Sequence, residues 1–117
     1  MAEERLGRLL YRFAVAARTH WEALEAMDGE KAGHQAAVID RLYGAIVSEG
    51  EVGRGALMRL AEGDDPAVAG MAAVYSLRYS TERCLAVLRR LAEVPGLMGF
   101  RARVAIERWE SEEWELG

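Results

Sequence analysis

The sequence predicts an all-α fold of six antiparallel helices, on three observations. Alanine and leucine supply 20 and 13 of the 117 residues, against 14 for Val, Ile and Thr together. The first two favour helix, and the β-branched residues that fit strands are few. Apolar residues recur every three or four positions through most of the chain, the period of a helix with one buried side. Turn signals cut these stripes into six segments with short connections, which make neighbouring helices antiparallel.

Leu6, Leu9, Leu10, Phe13, Ala17, Trp21 and Leu24 form the first stripe, and Asp28-Gly29 is expected to end it. The second helix runs from Lys31 to about Ser48 on Val38, Ile39, Leu42, Tyr43, Ile46 and Val47. Gly50 to Gly55 reads as a turn or a loosely wound helix entry, followed by a short helix from Ala56 to Ala61 with Leu57, Met58 and Leu60 on one side. At Gly63-Asp64-Asp65-Pro66 the chain stops and starts again: Asp65 can cap a helix, and Pro66 suits its first position. Val68, Met71, Ala72 and Tyr75 line that fourth helix. Ser80 or Thr81 caps the fifth, which carries Leu85, Leu88, Leu91 and, on its flank, Val87. Pro95-Gly96 breaks the chain, and the sixth helix starts near Leu97 with Phe100, Val104 and Trp109.

The length suits one helical domain over residues 1–117 and needs neither disulfide nor metal to fold. Within it, residues 1–50 form an N-terminal helix pair, 51–109 two further pairs, and 110–117 an acidic tail. The single cysteine, Cys84, excludes an intramolecular disulfide and a cysteine-based zinc cluster, and it fits a reducing cytoplasm. Glu3, Glu4, Arg12 and Arg18 spoil a signal-peptide reading of the start. No uncharged run reaches the length of about 20 residues that spans a membrane.

The net charge of −4 is localised. Residues 107–117 hold five glutamates and one arginine, which is −4, and the basic and acidic residues before them cancel. Such a balance argues against wholesale binding of a phosphate backbone. Glu107, Glu110, Glu112, Glu113 and Trp114 are the candidate partner-binding residues: carboxylates steer the encounter with a basic surface and a tryptophan anchors it. The bland alternative makes Trp109 core and the rest a solubilising tail. Acid at a helix C-terminus opposes the macrodipole, so local stability does not explain it.

No catalytic set emerges, and no cofactor or metal site is expected. His20-Trp21-Glu22 has the His-x-Glu spacing of zinc deaminases, but the Pro-Cys-x-x-Cys element that completes their site is missing. Cys84 in a first helical turn could be a nucleophile; Glu82 opposes its activation, and a small buried side chain is the simpler reading. The glycines from Gly50 to Gly55 do not match a phosphate loop in order or context. Arg83, Arg89, Arg90, Arg101, Arg103 and Arg108 form a basic cluster, interleaved with Glu82, Glu93, Glu107 and Glu110 that can pair with it.

The run from Leu57 to Leu77 resembles a HEAT-type repeat, with leucines on the first helix, the Asp65-Pro66 turn, then Val68 and the Ala72-Ala73 pair. Ala69 stands where such repeats often carry an arginine. The pairs at residues 52–79 and 81–109 then imply a short HEAT-like α-solenoid, with a compact helical bundle as the alternative. From Leu9 to Trp109 the chain is similar to a family of small bacterial HEAT-like proteins without an assigned function. Trp21 to Leu24, Asp40 to Tyr43, Asp65 to Val68, Pro95 to Phe100 and Glu107 to Trp109 carry the likeness. The resemblance implies a cytoplasmic immunity protein that neutralises a cognate toxin, possessing a basic surface as many nucleases do, without turnover. The alternative is a HEAT-like adaptor or nucleic-acid module using the arginines of the last helices.

Overall fold

Six helices and no strand make up the described part of the chain, as the composition requires. The computed structural model describes residues 2–111. The helices are α1 (Ala2–Glu25), α2 (Gly29–Val47), α3 (Glu51–Ala61), α4 (Pro66–Ser76), α5 (Thr81–Ala92) and α6 (Leu97–Glu110). They fall into two compact units, Met1–Leu60 and Ala61–Gly117.

In the first unit α1 and α2 pack together as a hairpin. Leu6, Leu9, Phe13, Ala16 and Ala17 from α1, and Ile39, Leu42 and Ile46 from α2, are buried. Their spacing puts one apolar stripe on each helix, and the fully buried Phe13, Ile39 and Ile46 are the largest side chains of this core. Asp28 does not end α1, as the sequence suggested, but starts α2: its Oδ1 accepts the Lys31 N–H at 3.0 Å. The end of α1 is closed by Met27, whose φ of 58° puts a non-glycine residue in the left-handed region. Around it the Asp28 N–H reaches the Ala23 carbonyl at 2.8 Å and the Met27 N–H the Leu24 carbonyl at 3.1 Å. This is a Schellman closure, which glycine usually provides.

Met27 is 91% exposed, so its side chain offers no packing against that backbone strain. Met27→Gly is expected to raise stability by about 0.5–1 kcal/mol. A urea midpoint that falls instead would show that Met27 holds the turn by contacts of its own.

Of the two readings of the glycine-rich segment after α2, the structure has the helix entry. Only Gly50, with φ of 73°, lies in the turn; α3 already begins at Glu51. Gly53 is helical, and a Cβ there would lie 1.9 Å from the Ile46 carbonyl oxygen. Glycine is therefore required where α3 rests on the last turn of α2. Ala56, Leu57, Met58 and Ala61 of α3 are buried.

In the second unit α5 packs against both α4 and α6. Asp65 caps α4 as expected, its Oδ1 accepting the Ala67 N–H at 3.1 Å and the Val68 N–H at 3.4 Å, and Pro66 opens the helix. Ala69, Ala72 and Ala73 leave α4 slim and buried, which lets a neighbouring helix come close. Leu91 Cδ1 of α5 accordingly lies 3.2 Å from where Gly70 would carry a Cβ. Ser80 takes the cap position of α5 without a side-chain bond, while the Thr81 hydroxyl donates to the Leu77 carbonyl at 2.8 Å.

The α5–α6 turn repeats the device of the α2–α3 turn. Gly96 has φ of 85°, and three residues later a Cβ on Gly99 would lie 1.9 Å from the Val94 carbonyl oxygen. No helix among the described residues is long and apolar enough to cross a membrane.

Candidate functional site

The close approach at Gly99 decides which way α6 faces. Gly99 and Ala102 are buried and Trp109 is half-buried, so this side of the helix looks inward. With about 3.6 residues per turn, the opposite side carries Leu97, Phe100, Val104 and Glu107. Phe100, one of the apolar residues that the sequence sets at helical spacing on the last helix, is 56% exposed, and Leu97 is 42% exposed. The sequence missed this because Phe100 lies only three and four residues from Leu97 and Val104, a spacing that reads as an inward stripe. The carbonyl under Gly99 could not be foreseen from that pattern.

Glu107 and Glu110 are both exposed on the last turns of α6. The Glu107 carbonyl accepts the Ser111 N–H at 2.9 Å, and the Ser111 hydroxyl donates to the Arg108 carbonyl at 3.3 Å, which together close the helix. Glu112, Glu113 and Trp114 lie outside the described residues. The described part of the candidate surface is thus an outward helix side that carries Leu97, Phe100 and Glu107, with Glu110 exposed on the last turn about a quarter-turn round from it.

Two of the arginines weighed for nucleic acid are engaged within the protein. Arg83 grips Glu62 with two hydrogen bonds, Nε to Oε2 at 3.0 Å and Nη2 to Oε1. Those bonds hold the Glu62 carboxyl below its ordinary range, with the Arg83 and Arg90 charges adding to the effect and desolvation opposing it; the Arg83 guanidinium is raised in turn. Both side chains are well exposed, so solvent screens the pair and it counts mainly as a positional tether. The partner is Glu62, not the neighbouring Glu82 that the interleaving suggested. Arg103 donates from Nη1 to the Ala92 carbonyl at 2.9 Å, fastening α6 to the end of α5.

Cys84 is fully buried. Desolvation pushes its thiol up to about 11, Arg83 pulling it down and Glu62 adding to the rise. It is therefore a protonated core group at neutral pH. Because the folded value lies above the ordinary 9.0, the associated stability is present below that pH and lost as pH climbs toward 11. Between those limits the wild type is expected to lose about 2–3 kcal/mol relative to Cys84→Ala. Paired urea titrations at the two pH values test this, and parallel losses would refute it. The native thiol should also resist iodoacetamide until the chain unfolds.

His20 is buried on the inward side of α1, while Glu22 is exposed. Residues two apart on a helix do not face each other, so the His-x-Glu spacing brings no two ligands together. Among the described residues no group of three or more His, Cys, Asp or Glu side chains could hold a metal.

One exposed surface was not singled out from sequence. Tyr11 is 68% exposed and Val15 38% exposed, on the side of α1 away from the core. The available signal was that Tyr11 falls outside the Leu6-to-Leu24 stripe. No protein family matches this chain, and neither a curated protein nor a solved structure matches it.

Proposed function

We propose that this chain is a protein-binding inhibitor, a cytoplasmic immunity protein that neutralises a cognate bacterial toxin by covering a basic surface of it. The observation that carries the reading is the placement of Glu107 and Glu110. Both are exposed at the end of α6, within a segment whose charge equals that of the whole chain. Glu112, Glu113 and Trp114 continue the same contact in this reading. Leu97 and Phe100, exposed on the same helix, supply the apolar ground that a stable contact needs once charges have steered the encounter. The resemblance to small bacterial HEAT-like proteins without an assigned function, which implies an immunity role, supports the class of partner. Inhibition follows from steric and electrostatic occlusion, and no group on the inhibitor is consumed.

The test pairs this chain with the product of the neighbouring reading frame. Reversing Glu107, Glu110, Glu112, Glu113 and Glu115 to lysine is expected to abolish protection against that product and to weaken binding strongly at low salt. Unchanged affinity would remove this surface from the interface. A neighbouring product that neither binds nor is inhibited would overturn the immunity role.

A further inference from the structure

The first unit carries a second surface, of opposite character, that the inhibitor role does not use. Residues 5–21 contain Arg5, Arg8, Arg12 and Arg18 and not one Asp or Glu. All of them belong to α1, whose other side is buried against its neighbours. Glu4, Gly7, Arg8, Tyr11 and Arg12 line a shallow depression on the outward side. Arg5 is drawn toward Glu49 at 3.7 Å, and Arg18 has an interaction of its own. Arg8 and Arg12 have no ion pair or hydrogen-bond partner among the described residues.

The geometry is specific. Arg8 and Arg12 stand one above the other, about 6 Å apart along the axis, as residues four apart on a helix do. Beside this column runs a second one, Gly7 followed by Tyr11. A Cβ on Gly7 would meet nothing within 4 Å, so the missing side chain leaves an open ledge next to the Tyr11 ring. The surface therefore offers an exposed aromatic ring beside bare backbone, flanked by two cations at one-turn spacing that have no partner among the described residues. An acidic peptide would satisfy the cations but would make no use of ring and ledge. A nucleotide strand uses all of them, because bases stack on aromatic rings while arginines track the phosphates.

We propose that this side of α1 binds single-stranded nucleic acid, with a base on the Tyr11 ring above Gly7 and successive phosphates at Arg8 and Arg12. Glu4, one turn before Arg8, repels phosphate and bounds the site at that end, so the strand leaves toward Val15. A single helix side with two such cations is too narrow to follow both strands of a duplex. The net charge of −4 hides the site, because the acid that offsets these arginines lies elsewhere in the sequence. The proposal is independent of the inhibitor role.

Fluorescence anisotropy of a short labelled oligouridylate, titrated with the full chain over a salt series, tests it. Two phosphate contacts predict that log affinity falls with log salt at a slope of about −1.4. Tyr11→Ala weakens binding about tenfold while Tyr11→Phe preserves it. Arg8→Glu with Arg12→Glu removes binding, and Arg89→Glu with Arg90→Glu leaves it intact. All these side chains point outward, so thermal melts should stay close to wild type and separate lost binding from lost folding. Failure to bind at low salt would overturn the proposal. So would binding that survives the Arg8 and Arg12 reversals, equal binding of a duplex, or displacement of the oligonucleotide by oligoglutamate at comparable concentration.

Discussion

Gly99→Ala and Gly53→Ala are each expected to lower stability by about 1–3 kcal/mol, whereas Gly55→Ala raises it by about 0.5–1 kcal/mol. All three glycines are helical, and alanine is the better helix former at any unconstrained position. Gly55 is such a position: a Cβ there meets nothing within 4 Å. At Gly99 the new carbon would stand 1.9 Å from the Val94 oxygen and 3.0 Å from the Ala92 oxygen. At Gly53 it would stand 1.9 Å from the Ile46 oxygen and 2.9 Å from the Ile46 carbonyl carbon. These are backbone atoms and cannot rotate aside, so the helix itself must lift off the turn. Lifting α6 also stretches the Arg103 bond to the Ala92 carbonyl. Against a total of about 5–15 kcal/mol the loss is easily read from urea midpoints. If Gly99→Ala and Gly55→Ala shifted the midpoint in the same direction, the close approach would be refuted.

The same two turns show what was legible in the sequence. Gly50-Glu51-Val52-Gly53 and Gly96-Leu97-Met98-Gly99 share one pattern. The first glycine takes a positive φ and the second admits a carbonyl. Read along the chain, the first is a turn or a loose helix entry with no choice between them, because a glycine's reason lies in whatever backbone comes to face it. The number and type of the elements were legible, since periodicity and composition are local properties. So was the start of α4, since Asp65 and Pro66 act within their own turn. Met27 was not, because nothing about methionine announces a left-handed helix end. Of the candidate surface, the position of Glu107 and Glu110 followed from their place in the sequence. The exposure of Phe100 did not, since it depends on which side of α6 the Gly99 contact turns inward.

That orientation separates two contributions to partner binding, which the second large effect is expected to expose. Charges at the edge of a contact act at a distance, on the rate of encounter, and steering of this kind is worth about 10- to 1,000-fold in on-rate at low salt. Reversing the five glutamates of residues 107–117 should therefore slow association by about 100-fold and abolish the fall of on-rate with salt. An apolar group acts only on contact, through the off-rate. Phe100 keeps more than half of its surface exposed in the free chain, so Phe100→Ala should cost α6 well below the roughly 3–5 kcal/mol of a fully buried phenylalanine. If Phe100 is covered in the complex, its removal costs about 2 kcal/mol, a dissociation about 30-fold faster with an on-rate and salt dependence like those of the wild type. Stopped-flow association with surface-plasmon dissociation reads both. A glutamate reversal acting only on the off-rate would place those carboxylates inside the contact, paired and desolvated, instead of at its edge. A Phe100→Ala variant indistinguishable from wild type would confine the interface to the acidic end and take the outward side of α6 out of it.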